Sequence, residues 1–347
     1  MSSAISRILI AGCVSVFTGR EEMHVTQVIS QELKKLGHQV DLFMLPFVNN
    51  PLLIPEQMMS LRLLDVESSC DLLLTIGYPA FAFRHRHKRV LLFSLASSLH
   101  EHFGTEYGVL STPQYHHIRD AVYRAERKCL IEAERILCAS ETLTAQIQTQ
   151  YHLPAKALRF DSDVHGTKQA NVLEEGTWVV CESTLEPPDR IDLLLNAVTH
   201  SRELWQLMIF VPSASDVYRQ ALDQRIERLG LKERVLVKDM ALPLQDGAIK
   251  ALGFISLSYK TTRIPEGLWR AIKSQIPVVT LTDAGATLEV TQNERNGLVV
   301  EPSAKEIAHA LDLLISDGKL HKRLSQGYSR SNHSHLNVEK MVESLVG

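Results

Sequence analysis

The sequence has no surplus of positive charge, no cysteine pair at metal-binding spacing and no apolar run long enough to cross a bilayer. Each absence removes a class of function. Thirty-seven Lys and Arg stand against 40 Asp and Glu, a net charge of −3 with His neutral, whereas a dedicated nucleic-acid binder carries a basic excess. The five cysteines, Cys13, Cys70, Cys129, Cys138 and Cys181, are odd in number and form no C-x-x-C. Most fall in apolar runs, which reads as small reduced core residues rather than disulfides or zinc ligands. Among 15 His the nearest clusters are His116-His117 and His100-x-His102. Neither has Cys or carboxylate partners at zinc spacing, so no metal and no cofactor is expected. Residues 1–10 lack a basic leader and a cleavage site. The longest later apolar run, residues 90–99, suits a buried strand better than a membrane helix. The expected setting is cytoplasmic.

What the sequence does contain is alternation. Its 347 residues, 45% apolar and 22% charged, are ordinary for globular protein and suggest two domains at about 150 residues each. Residues 7–12, 39–45, 70–76, 90–95 and 135–140 read as strands, most of them near-continuous apolar runs that imply helices on both sheet faces. Val25, Val28, Ile29, Leu33 and Leu36 recur at helical spacing before Gly37, and residues 119–134 form a second amphipathic helix. A polar stretch at 161–176 breaks the pattern and reads as a linker. Alternation restarts at 178–181 and continues with strands at 207–211, 234–237, 254–257, 277–281 and 298–300, interleaved with helices at 192–198, 218–229 and 304–314. The pattern predicts an α/β protein of two Rossmann-like, doubly wound parallel sheets facing across a cleft. The expected boundaries are 1–165 for the first domain and 166–330 for the second. Residues 331–347 carry a last helix at 338–346.

Several passages together resemble one family. Val179-Val-Cys-Glu-Ser-Thr-Leu-Glu-Pro-Pro-Asp-Arg-Ile-Asp-Leu-Leu resembles the strand, loop and helix that open the second domain of GT-B retaining glycosyltransferases, the family-four or group 1 type. Pro277-Val-Val-Thr-Leu-Thr-Asp-Ala-Gly-Ala-Thr-Leu-Glu-Val resembles their late donor-side loop, and Asn296-Gly-Leu-Val-Val-Glu-Pro follows at the family spacing. Ala133-Glu-Arg-Ile-Leu-Cys-Ala-Ser-Glu resembles the last strand of the first domain. The resemblance implies the GT-B fold, an acceptor-side first domain, a nucleotide-sugar-side second domain and a C-terminal helix that crosses back to the first. It implies transfer of a sugar from a nucleotide diphosphate sugar without a metal. An Arg and a Lys near the first loop of the second domain would neutralise the departing diphosphate. Two Glu eight residues apart would hold the donor.

At those positions this sequence departs from the family. Thr184 stands for the Arg, Asp189 for the Lys, and Ser183 for a close-approach Gly. Arg270 stands for the second Glu and Thr262 for the first, while Glu266 lies off the spacing. The Gly-rich turn of the family is replaced by Val211-Pro-Ser-Ala-Ser. Gly285 and Glu289 of the late loop are kept. Losing two charge-assisted contacts removes about 3–6 kcal/mol of transition-state stabilisation, roughly 100-fold to 10,000-fold in rate. The reading that follows is a non-catalytic glycosyltransferase homologue in glycan or glycoconjugate biosynthesis, acting as partner subunit of an active glycosyltransferase or binding a nucleotide sugar or glycan. The alternative is an active retaining enzyme in which Arg190, Arg263 and Arg270 replace the cations and Glu266 or Glu289 holds the sugar.

In the first domain, Gly12 to Gly19 resembles an acceptor-side loop. The His expected after the fourth strand is missing, with Ser94 or Ala96 in its place and His100 and His102 a few residues on. The run Arg84-His-Arg-His-Lys-Arg admits two readings. It is a solvated loop, or a basic patch in which Arg84, Arg86, Lys88 and Arg89 make peripheral contact with an anionic membrane.

Overall fold

The computed structural model describes residues 6–15, 20–158, 178–212, 216–244, 249–327 and 338–346. The chain divides into two compact units: Met1–Val164 with His335–Gly347, and His165–Ser334. The linker stretch 161–176 lies outside the described residues.

In unit 1, β1 (Arg7–Ser15), β2 (Gln39–Phe47), β3 (Leu72–Ile76), β4 (Lys88–Leu92), β5 (Arg135–Cys138) and β6 (Lys156–Ala157) form one sheet in the order β2-β1-β3-β4-β5-β6. Every pairing is parallel. The helices are α1 (Arg20–Lys35), α2 (Ile54–Leu63), α3 (Pro113–Leu130) and α4 (Glu141–Tyr151). Apolar clusters cover both sheet faces, which is why β3 is buried along its whole length. Helix α1 offers Val25, Ile29 and Leu33 at i, i+4 and i+8, all within 1% of full burial. Helix α3 begins six residues earlier than its periodicity suggests. Thr112 accepts from the Tyr115 N–H and Pro113 sits at the first helical position, a start signal that outweighs the weak apolar pattern of the first turn. The apolar run 90–99 is not one strand: β4 stops at Leu92, and Leu99 lies in a 3-10 turn, Ser97–Leu99.

Helix α10 (Val338–Val346) belongs to this unit, with Met341, Val342 and Leu345 buried against the β1 and α1 apolar residues. Its last carbonyls are capped by cations. Arg89 Nη1 donates to Leu345 O at 2.7 Å and Arg135 Nη1 to Ser344 O at 3.2 Å.

In unit 2, β7 (Trp178–Glu182), β8 (Gln206–Phe210), β9 (Val235–Lys238), β10 (Ala251–Ser256), β11 (Val278–Leu281) and β12 (Gly297–Val300) form a second parallel sheet in the order β12-β11-β10-β7-β8-β9. Helices α5 (Ile191–His200), α6 (Asp216–Arg228), α7 (Glu266–Lys273), α8 (Ala304–Ser316) and α9 (Gly318–Gln326) complete it. The chain runs outward from β7 in one direction through β8 and β9, and from β10 in the other. The β10/β7 border is therefore the point where strand order reverses, the place at which open α/β sheets bind ligands beyond their carboxyl ends.

The opposite end of this sheet is tied by one carboxylate. Asp312 on α8 accepts from the Ser201 hydroxyl at 2.6 Å, the Arg202 N–H at 2.8 Å and the Trp205 indole at 3.0 Å. Burial pushes its carboxyl up, but these donors outweigh it and hold the group below the usual aspartate range. A depressed folded value contributes stability that is present above the unfolded value near 4 and is lost as pH falls through the folded one. Asp312→Asn should lower stability by about 1 kcal/mol at pH 7 after allowance for solvent screening. Thermal melts from pH 7 down to pH 2.5 should show that gap closing below pH 4. A gap constant across the range would refute this role.

Candidate functional site

Three loops meet beyond the β10/β7 border: 183–190 after β7, 257–265 after β10 and 282–289 after β11. The first turns on Asp189. Its Oδ2 accepts from Ser183 Oγ at 2.8 Å, the Thr184 N–H at 2.9 Å and Thr184 Oγ1 at 3.0 Å, while Oδ1 accepts from Ser258 Oγ at 3.4 Å. Ser183 in turn accepts from the Leu185 N–H. The turn is tight enough to hold two non-glycine residues in the left-handed region, Leu185 (φ 64°) and Arg190 (φ 52°). Each costs on the order of 1 kcal/mol and persists because the surrounding bonds over-determine it.

Arg190 is not aimed at this loop. Its Nε donates to Leu257 O at 2.6 Å, and its two terminal nitrogens fork onto Asp283 at 2.9 and 2.7 Å. The guanidinium lies 5.2 Å from the centre of the Tyr259 ring, and the Tyr259 backbone N–H donates to Pro188 O. Arg190 therefore stitches the first loop to the other two. Gly285 completes the seam. At φ 64° and ψ −128° it runs so close to Thr261 that a Cβ would lie 2.3 Å from the Thr261 oxygen. Only glycine fits there. Glu289 sits half-buried at the end of the following 3-10 turn, Ala286–Glu289.

Arg270 is committed through one terminal nitrogen, while its Nε is buried without a hydrogen-bond partner among the described residues. On α7 it donates to both Glu182 oxygens at 2.7 Å, and its Nη1 lies 3.6 Å from Glu266 Oε2 one turn back. Glu182, at the end of β7, also accepts from the Leu242 N–H at 2.7 Å. The side chains of Arg270, Glu182 and Glu266 are 8%, 12% and 14% exposed. Gly267 lets α7 approach: a Cβ there would sit 3.0 Å from Glu182 Cβ. Thr262 is buried, and Arg263 is half-buried with its N–H on Thr261 Oγ1. Sequence inspection overlooked Glu182, Asp283 and Ser258. Glu182 carried a usable signal, since a carboxylate ending the apolar run Trp178–Cys181 demands a buried partner.

In unit 1, Gly12 lies inside β1, paired to Met44 and Ile76, not in an acceptor-side loop. A Cβ there would meet the flexible end of the Met44 side chain, Cε at 2.5 Å, which places the glycine against the neighbouring strand. Gly19 falls outside the described residues. Ser94 is half-buried just after β4. His100 and His102 are buried at 6% and 5%. The Nε2 of His100 lies 3.1 Å from Glu126 Oε2, its ring stacks on Tyr123 at 4.5 Å, and its Nδ1 meets the Gln150 amide. Glu126 also accepts from the Tyr151 hydroxyl. This cluster fastens the segment after β4 to α3 and α4.

The basic run disperses. Lys88 is fully buried, its Nζ donating to Phe81 O, Phe83 O and Cys129 O at 2.9 to 3.0 Å, and burial lowers its pKa. Arg89 is spent on α10 and Glu134, and Arg86 pairs with Glu67. Lys88 and Arg89 thus contribute to the core rather than to a membrane-facing patch. Arg84 is exposed. All five cysteines are buried free thiols, and burial pushes Cys13 and Cys138 up to about 12. Among the described residues no cluster of His, Cys, Asp and Glu could hold a metal, and no helix is long and apolar enough to cross a membrane.

Residues 176–317 match the model of the glycosyl transferases group 1 family. No curated protein sequence matches the chain. Among solved structures the chain is similar to WaaG, a glycosyltransferase involved in lipopolysaccharide biosynthesis, at 14% identity and TM-score 0.69 over 97% of this chain and 100% of that one. It is similar to Anabaena HepE in complex with UDP-glucose at 15% identity and TM-score 0.69, covering 98% and 99%. Sucrose-phosphate synthase from Thermosynechococcus elongatus gives 14% and 0.70, covering 98% and 94%. The fold is that of the GT-B group 1 glycosyltransferases.

Proposed function

On the premise of that fold, and of a second unit that matches group 1 glycosyltransferases, we propose that this chain is a non-catalytic homologue in glycoconjugate biosynthesis, acting as partner subunit of an active glycosyltransferase. One observation carries the reading. Two of the three arginines that could replace the missing cations are paired with a carboxylate of their own unit, Arg190 through both terminal nitrogens with Asp283 and Arg270 through Nη2 with Glu182. A guanidinium already paired at 2.7 Å offers an incoming anion less than a free one, because a carboxylate beside it offsets its charge.

The chemistry gives the same direction. Transfer from a nucleotide diphosphate sugar develops negative charge on the leaving group, and the site must meet it with unspent donors. Here Asp189 brings a carboxylate to the loop instead. About 4 Å from a phosphate charge it would oppose binding by up to about 4 kcal/mol at an effective dielectric near 20. The solved relative HepE binds UDP-glucose, so a uridine diphosphate sugar is the first ligand to try. Calorimetry and a release assay with UDP-glucose, UDP-galactose and GDP-mannose should show neither micromolar binding nor turnover. Turnover with any of them would overturn the proposal and favour an active enzyme with a rearranged clamp. Affinity capture of the intact chain from its host, followed by mass spectrometry, should return a second glycosyltransferase with its donor residues in place. Capture of none would remove the partner role.

A further inference from the structure

The donors around Asp189 form a cradle, and its Oδ2 accepts three hydrogen bonds. One oxygen receives two hydroxyls and a backbone N–H within 3.0 Å, and the second faces the Ser258 hydroxyl from across the strand-order reversal. A carboxylate oxygen needs fewer partners than that in an open turn, and a ring of convergent donors at this crevice is what a phosphate oxygen takes in α/β folds. The cradle spans two loops, from Ser183 at 4% exposure to Ser258 after β10, so its donors are not those of a single turn or of the α5 N-terminus. The loop tolerates left-handed Leu185 and Arg190 to keep the carboxylate in place.

We propose that Asp189 is an internal anion: its carboxylate occupies, from within the chain, an oxoanion cradle at the β10/β7 border and excludes inorganic phosphate and diphosphate groups from it. The contact is autoinhibitory in form. It rests on the reading of a silent donor site and supplies the physical reason for it. Shortening Asp189 removes both the steric plug and the negative charge and releases the hydroxyls of Ser183, Thr184 and Ser258 for an incoming anion.

The test uses the full chain and inorganic pyrophosphate. Wild type should show no saturable binding by calorimetry, and Asp189→Ala should bind at least tenfold more tightly. Adding Thr184→Val to that variant should reverse most of the gain, which locates the anion in the cradle. A folded Asp189→Ala chain that takes up pyrophosphate no better than wild type overturns the inference, as does an unchanged gain in the double variant. Crystals of wild type soaked in pyrophosphate provide a measurement independent of the variant's folding. The Asp189 carboxylate should stay on Thr184, and an anion found in its place would overturn the plug. Sugar-nucleotide turnover by wild type would instead strike the proposed function, so the two failures are separable.

Discussion

Arg270→Met lowers the stability of unit 2 by about 3–5 kcal/mol, the cost of leaving a buried carboxylate without its cation. Among the described residues Glu182 then keeps the Leu242 N–H, with Glu266 a second carboxylate on the same side. Adding Glu182→Gln should recover most of the loss, because an amide meets Leu242 through its oxygen and carries no charge to solvate. Urea unfolding of the wild type, the two single variants and the double variant gives the coupling directly. A coupling below about 0.5 kcal/mol would mean that the pair is ornamental and that Arg270 remains free to meet a ligand. The same cycle therefore tests the assignment of this position to structure.

Lys88→Met is the corresponding experiment in unit 1. It strips three buried carbonyls, on Phe81, Phe83 and Cys129, of the ammonium that bonds all three and leaves Glu132 its pair with Arg62. Each orphaned acceptor costs about 1–3 kcal/mol, partly offset because the ammonium no longer has to be desolvated. The net loss should be about 3–5 kcal/mol, read as a drop in the urea midpoint without a change in slope. Arg86→Ala, two residues away in the same basic run but exposed with Glu67, should cost no more than about 1 kcal/mol. Equal effects from the two variants would contradict the placement of Lys88 in the core. Binding of Lys88→Met to anionic vesicles should match wild type if Lys88 makes no surface contribution.

The contrast between those two residues shows how far sequence reading goes. Strands such as Leu72–Ile76 and Val278–Leu281 were legible because a sheet covered on both faces selects unbroken apolar runs. The β-α alternation therefore identified two doubly wound sheets. Charge did not read as well. A run of six basic residues looks like one surface, yet successive side chains on a strand point to opposite faces, and Lys88 and Arg89 go to different partners. In the second unit the departures at Thr184, Asp189, Thr262 and Arg270 were visible by register. Their partners were not, since Arg190 meets Asp283 across 93 residues and Arg270 meets Glu182 across 88. A single sequence contains no signal for a pairing at that range. Helix α7 was missed for a related reason: its eight residues are too short for periodicity to stand out.

The return of α10 to unit 1 sets an order on biosynthesis. Met341, Val342 and Leu345 cover Ile8, Ile10 and Ile29, residues made more than 300 positions earlier. Until residues 338–346 leave the ribosome, that apolar patch of the nascent chain stays bare while the whole of unit 2 is being translated. Unit 2 can complete its sheet first, and the earlier-made unit is the later one to close its core.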